Sequence, residues 1–263
     1  MNYPNNPIVH LSVFKSGTHL TRRILTELTQ LPFFEPPITR GRVNYQDPGQ
    51  LVFKKGHFYS WHLVPTPEIR HRLHSANARP VLIVRNIYDW VVSAYHHFAD
   101  NIDHEVGGGR NVDHHFQKLS FEKGLDIIIK GKVFPDFVWQ GIGPMLVHTS
   151  LLITLAKECD SFLTSYDLVV ENKRDQIRDL AGFLQIKLPE DRLDEIFAKT
   201  NFGPMRSEAL ASGQGSHFRV GKPGANRVML TSAHISAIEE EIGKWCPALP
   251  SKEISRQLGL FDL

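Results

Sequence analysis

The run Val81-Leu82-Ile83-Val84 constrains the fold more than any other part of the sequence. Large apolar residues in unbroken succession, most of them β-branched, leave no polar side for water. Pro80 to Arg85 is therefore expected to be a strand covered on both faces. It leads into a predicted helix from Trp90 to Phe98, with Asp89 as its N-cap. The same plan occurs earlier. Ile8 to Val13 reads as an apolar strand, Lys15-Ser16-Gly17-Thr18 as a tight polar loop, and Leu20, Ile24, Leu25 and Leu28 recur at helical spacing.

Further strands are expected at Leu51 to His57, ending at a glycine turn, and at Ser161 to Tyr166. Lys173 to Leu184 predicts a helix with Ile177, Leu180, Ala181 and Leu184 on its apolar side. Asn101 to Lys118, with three successive glycines, and Gly203 to Gly224 read as loops. Strands alternating with helices imply an α/β fold with a central, mostly parallel sheet and helices on both faces. A chain of 263 residues suits one such domain spanning residues 1–263. In sheets of this kind ligands gather beyond the carboxyl ends of the strands, where Lys15, His57 and Arg85 are all expected.

Thirty Lys and Arg residues against 28 Asp and Glu leave a charge of +2, too balanced to coat nucleic acid or a membrane by charge alone. An anionic ligand must then be held by a local pocket. Cys159 and Cys246 allow at most one bridge and read as buried structural thiols, which favours a reducing compartment. Met1 to Pro7 lacks the order of a signal peptide, so a cytoplasmic protein is expected. Phe137 to Ala156 is too polar for a membrane span and predicts a buried or amphipathic helix. Paired histidines such as His96-His97 and His114-His115 lack the three-ligand spacing of a metal site, and none is expected.

At the first strand-to-helix junction, free backbone N–H groups and the positive helix end attract an anion. Gly17 lets the backbone approach it, Lys15 adds full charge, and Ser16 and Thr18 add hydroxyls. On its own this tetrapeptide is equally an ordinary capped loop. Arg85 and Ser93, eight residues apart, suit a guanidinium and a hydroxyl converging on one phosphate. The alternative is an Arg85–Asp89 pair with a solvated Ser93.

Taken together, the motifs say more. Lys15-Ser16-Gly17-Thr18, Lys55-Gly56-His57, Val84-Arg85-Asn86 through Ser93 and Tyr95, Tyr166-Asp167-Leu168, Thr200-Asn201-Phe202 with Met205, and Phe218-Arg219-Val220-Gly221 with Gly224 follow one another in the order found in a known family. The chain resembles, along nearly its whole length, the cytosolic-type sulfotransferases that use 3′-phosphoadenosine 5′-phosphosulfate (PAPS). The resemblance implies a P-loop-like fold and transfer of a sulfuryl group from PAPS to the hydroxyl of a small or medium acceptor, without a metal. It implies that Lys15, Ser16, Gly17 and Thr18 hold the 5′-phosphosulfate, and that Arg85, Ser93, Arg219 and Gly221 hold the 3′-phosphate. Tyr166, Thr200 and Phe202 would surround the adenine. His57 matches the general base, Lys55 the lysine beside it, and Lys15 would stabilise the leaving oxygen.

The chain departs from the family pattern at Phe14, where proline is usual, and at Leu20, where a tryptophan often stands. Val220 replaces a basic residue, and Ala225-Asn226 follows Gly224 where tryptophan is expected. A partial dimerisation motif in Arg227 to Ser236 leaves the oligomeric state open. Two other readings are a nucleotide-dependent phosphotransferase and an inactive nucleotide-binding module. The first is disfavoured because the lysine precedes the only glycine of the loop, contrary to a triphosphate-binding loop.

Overall fold

The computed structural model describes residues 6–34, 51–100, 113–211, 222, 224–246 and 259–260. In chain order the elements begin with β1 (Ile8–Ser12), α1 (Thr18–Thr29), β2 (Phe33–Phe34), β3 (Phe58–Trp61), α2 (Pro67–Ser75), β4 (Arg79–Val84) and α3 (Ile87–Ala99). The short α4 (Asp113–Phe116) is followed by α5 (Phe121–Lys130), β5 (Lys132–Val133), β6 (Val138–Trp139), α6 (Gly143–Glu158) and β7 (Phe162–Ser165). Then come α7 (Tyr166–Glu171), α8 (Lys173–Phe183), α9 (Glu190–Lys199) and α10 (Phe202–Ala211), a 3₁₀ turn (Arg227–Met229) and α11 (Ser232–Trp245).

Five strands form one sheet in the order β2-β3-β1-β4-β7, every pair parallel, and β5 and β6 make a separate antiparallel pair. Alternation along the strands sends side chains to two cores. Val9, Leu11, Tyr59, Trp61, Leu82 and Val84 pack with α3, α5, α6 and α11. Ile8, Phe58, Val81 and Ile83 pack with α1, α8 and α9. Val81, Leu82, Ile83 and Val84 have no exposed surface, as a strand roofed on both faces requires.

Several boundaries differ from expectation. The strand expected at Leu51 to His57 is instead β3, Phe58–Trp61, because the Gly56 turn, with φ of 68°, precedes the strand. The N-cap of α3 is Asn86, whose side chain accepts from the N–H groups of Tyr88 and Asp89, so the helix starts three residues before Trp90. Asp89 is freed for another task. Gly203 and Pro204 lie in the first turn of α10, where proline is tolerated, so part of the expected 203–224 loop is helix. Gly143–Glu158 carries the helix expected between Phe137 and Ala156, and no helix among the described residues is long and apolar enough to cross a membrane. Both cysteines are free, Cys246 buried and Cys159 half-buried.

Register sets the site. Ile8 pairs with Phe58 and Arg79, Leu11 with Trp61 and Leu82, and Val84 with Ser165. One step beyond the carboxyl ends therefore stand the 13–17 loop, His62, Arg85 and Tyr166. The chain moves from β3 on one side of β1 to β4 on the other, which opens a crevice at the end of β1.

Candidate active site

The loop after β1 is wound tightly. Lys15 and Gly17 both have positive φ, 62° and 87°, and Ser16 N–H closes the turn on the Val13 carbonyl at 3.2 Å. A Cβ on Gly17 would stand 2.5 Å from Cδ2 of Tyr166, so backbone conformation and close packing both demand glycine. Phe14 anchors the loop entrance. Its ring meets Trp90 edge-on at 5.0 Å, and its carbonyl accepts from Trp90 Nε1 at 2.6 Å. Gly17 caps α1, whose first N–H groups have no intrahelical acceptor. Ser16 Oγ is buried without a protein partner, a donor left for a ligand.

His57 and Lys55 do not join this loop. Ile8 N–H donates to the His57 carbonyl at 3.1 Å, which fixes His57 beside the amino end of β1. Five residues of β3 and its exit, about 16 Å at strand rise, separate it from the carboxyl edge. Lys55 is exposed on the Gly56 turn and its carbonyl lies 2.9 Å from His57 Nδ1. The cause is the position of β3: with the strand after Gly56, the histidine at its carboxyl end is His62.

His62 occupies the place expected for His57. Its Nδ1 lies 3.0 Å from the Ser12 carbonyl and 3.0 Å from Ser12 Oγ, which is 2.9 Å from Thr18 Oγ1. A carbonyl only accepts, so Nδ1 carries the proton and Nε2 keeps its lone pair. His62 is exposed, yet desolvation by the protein beside its ring lowers its pKa; the Ser12 hydrogen bond opposes the drop, and Arg22, His97 and Lys15 add to it. His148, buried on α6, holds the next peptide through Nε2 and the Leu63 carbonyl at 2.9 Å. The aromatic run Phe58-Tyr59-Ser60-Trp61 was the sequence signal for this strand.

Arg85 lies at the same edge. Nη1 donates to the Lys15 carbonyl at 2.7 Å, the guanidinium lies 4.5 Å from the centre of the Tyr166 ring, and Nε is buried without a protein partner. Burial raises the Tyr166 pKa, with Arg85 opposing. Asp89, expected as a cap or as a partner for Arg85, instead accepts from the N–H groups of Gly224 at 2.7 Å and Asn226 at 3.1 Å. Asn226 Nδ2 returns a bond to the Asp89 carbonyl at 3.3 Å. Asp89 thus ties the segment after Gly221 to α3, the helix that carries half-buried Ser93 in its second turn. Arg219 and Gly221 lie outside the described residues, as do Gly107 to Gly109.

Thr200 and Phe202 flank the α9–α10 junction. Lys173 Nζ donates to the Thr200 carbonyl and to Asn201 Oδ1, each at 2.9 Å, while the buried Thr200 hydroxyl turns back to Ile196. Glu27 on α1 pairs with Arg192 and Lys199 of α9, which holds that junction against α1. Lys15, Ser16, Gly17, Thr18, Arg85 and Tyr166 are thus brought to one edge, with Ser93, Thr200 and Phe202 on bordering elements. Among the described residues no three His, Cys, Asp or Glu side chains are grouped to hold a metal.

Positive loop, aromatic wall and a histidine protonated at Nδ1 fit an enzyme that binds a phosphate-rich donor beside a proton acceptor. No curated protein is detectably similar in sequence. Among solved structures, mouse sulfotransferase SULT7A1 complexed with PAP shares 18% identity, covering 98% of this chain and 90% of that one, with a TM-score of 0.71. Retinol dehydratase, in a complex with retinol and PAP, shares 13% identity over 96% of this chain and 84% of that one, with a TM-score of 0.66. The same enzyme with androsterone and PAP gives 14% identity, 96% and 83% coverage, and a TM-score of 0.65. These likenesses concern the fold; the family profile described as the sulfotransferase domain matches residues 6–249, and the chain belongs to the sulfotransferase family.

Proposed function

We propose that this enzyme transfers a sulfuryl group from PAPS to the hydroxyl of a small or medium acceptor, with His62 as general base. The observation that carries the reading is the Nδ1 hydrogen bond of His62 to the Ser12 carbonyl, which leaves Nε2 to receive a proton at the edge shared with Lys15 and Arg85. His62 takes the hydroxyl proton as the acceptor oxygen bonds to sulfur, and the sulfur–oxygen bond to the nucleotide breaks in line. Lys15 and the N–H groups opening α1 stabilise the negative charge left on the departing oxygen. No metal is invoked, since a cation and oriented dipoles already occupy that position.

Two buried donors without protein partners, Ser16 Oγ and Arg85 Nε, support an anionic donor here. Arg85 and Ser93, with Arg219 and Gly221, are assigned to the 3′-phosphate, and Tyr166, Thr200 and Phe202 to the adenine. The retinol and androsterone in the retinol dehydratase complexes support small-molecule acceptors. A cytoplasmic setting, suggested by the two free thiols, belongs to the same proposal.

The test compares His62→Ala with His57→Ala in sulfuryl transfer from PAPS to phenols and aliphatic alcohols. His62→Ala should lower turnover by about 10²–10⁴, most with the alcohols, whose weakly acidic hydroxyls need a base. His57→Ala should stay near the wild-type rate. A folded His62→Ala variant that sulfates alcohols at full rate would overturn the assignment.

A further inference from the structure

α6 turns an apolar face to the sheet, with Met145, Leu146, Leu152, Ile153 and Leu155 buried, yet one position on that face is a histidine. His148 is 6% exposed, and an imidazole in such a place costs solvation that a leucine would have spared. Its Nε2 lies 2.9 Å from the Leu63 carbonyl. A carbonyl only accepts, so Nε2 carries the proton and donates. Leu63 directly follows His62, in the stretch that runs from the sheet to α2. The ladder of β1 with β3 has its last pair at Leu11 and Trp61, and α2 begins at Pro67. His62 therefore stands one residue past the last ladder pair. By the alternation of a strand, Trp61 and Leu63 face the core shared with α6, and His62 turns to the other side, where its Nδ1 meets the Ser12 carbonyl. The imidazole is held from β1 and the backbone behind it from α6.

We propose that His148 is a positioning residue for His62: by gripping the Leu63 peptide it sets how far the imidazole reaches from the end of β3 toward the acceptor's hydroxyl. The inference rests on the reading of His62 as the base. The bond to Ser12 orients the ring, but a ring on a shifted backbone can keep that bond and still present Nε2 in the wrong place. A misplacement of about 1 Å costs up to about 100-fold in rate. The loop after β1 is anchored elsewhere, through the Phe14 carbonyl on Trp90 and Gly17 against Tyr166. Donor affinity is therefore expected to survive the loss of His148, and the damage to fall on turnover.

The experiment measures turnover of aliphatic alcohols and of a phenol of low pKa, with calorimetric affinity for adenosine 3′,5′-bisphosphate, in His148→Phe and His148→Gln, each also in the His62→Ala background. His148→Phe should lower kcat with alcohols by about 10–100-fold and with the phenol by less, and leave bisphosphate affinity unchanged. His148→Gln, whose amide nitrogen takes the place of Nε2, should recover most of the loss. Added to His62→Ala, His148→Phe should cost nothing more, because it acts through a ring already gone; a merely structural role would add its full loss there. A folded His148→Phe variant with wild-type alcohol turnover would overturn the proposal, as would a further loss of the same size in the His62→Ala background. Nitrogen-15 NMR of the wild type tests the hydrogen bond without any variant: His148 protonated at Nδ1 in place of Nε2 would overturn it too. Full activity in His62→Ala alone would instead refute the base assignment, so the two failures are read from different variants.

Discussion

Asp89 offers a perturbation whose size follows from the geometry. Its carboxylate is 1% exposed and accepts two backbone N–H groups, from Gly224 at 2.7 Å and Asn226 at 3.1 Å. Asp89→Asn preserves shape but leaves one acceptor oxygen, and the amide nitrogen must face an N–H that it cannot bind. Losing a charge-assisted bond and stranding a buried donor costs about 3 kcal/mol. Removing a buried carboxylate that repels nearby Asp167 returns part of this, leaving about 2 kcal/mol. At about 2–4 °C per kcal/mol for a chain of this size, Tm should fall by about 4–8 °C. The nucleotide response is sharper still. Gly221 is three residues from the latch, a reach of at most about 11 Å, so loosening Gly224 should weaken adenosine 3′,5′-bisphosphate more than AMP. Differential scanning fluorimetry with each nucleotide reads both effects. An unchanged Tm, with the same bisphosphate-induced shift as wild type, would refute the latch.

Two other predictions concern acid and the donor loop. Buried His10 and His148 have folded pKa values below the unfolded 6.5, His148 at about 4, so the unfolded chain binds protons that the folded one does not. Their contribution is fully present above about pH 6.5 and lost as pH falls, by up to about 3 kcal/mol per pH unit; equal urea midpoints at pH 7 and pH 5 would contradict this. Gly17→Ala should cost about 1–2 kcal/mol from its φ of 87° alone, and the contact with Tyr166 should displace the loop, so calorimetry should find bisphosphate binding severely weakened.

The legible parts of the sequence were those with a local cause. Val81 to Val84 could only be a doubly covered strand, and Lys173 to Phe183 showed its apolar side at helical spacing. The loop after β1 was legible as a turn between strand and helix, and its lysine, glycine and two hydroxyls gained meaning only beside the other motifs. β3 begins where the sequence suggests that it ends, because the Gly56 turn opens the strand. That shift puts His57 at the amino end of the sheet and His62 at its carboxyl end. Asp89 looked like a cap since capping is local, whereas its partners Gly224 and Asn226 are more than a hundred residues away. Arg22 on α1 showed nothing in sequence, because its neighbour Ser60 is supplied by β3.

The pairing of β1 with β3 has a consequence for how preparations of this enzyme should be judged. A slip of one residue would turn Tyr59 and Trp61 toward α1 and send Ser60 into the opposite core, taking His62 away from Ser12. Such a chain would keep much of its secondary structure, yet it would lack the histidine proposed as base beside the loop after β1. Intermediate activity per molecule is therefore unavailable to a misregistered chain: each molecule has the register and works, or lacks it and does not. Specific activity after refolding would count correctly paired molecules, a quantity that circular dichroism would overestimate.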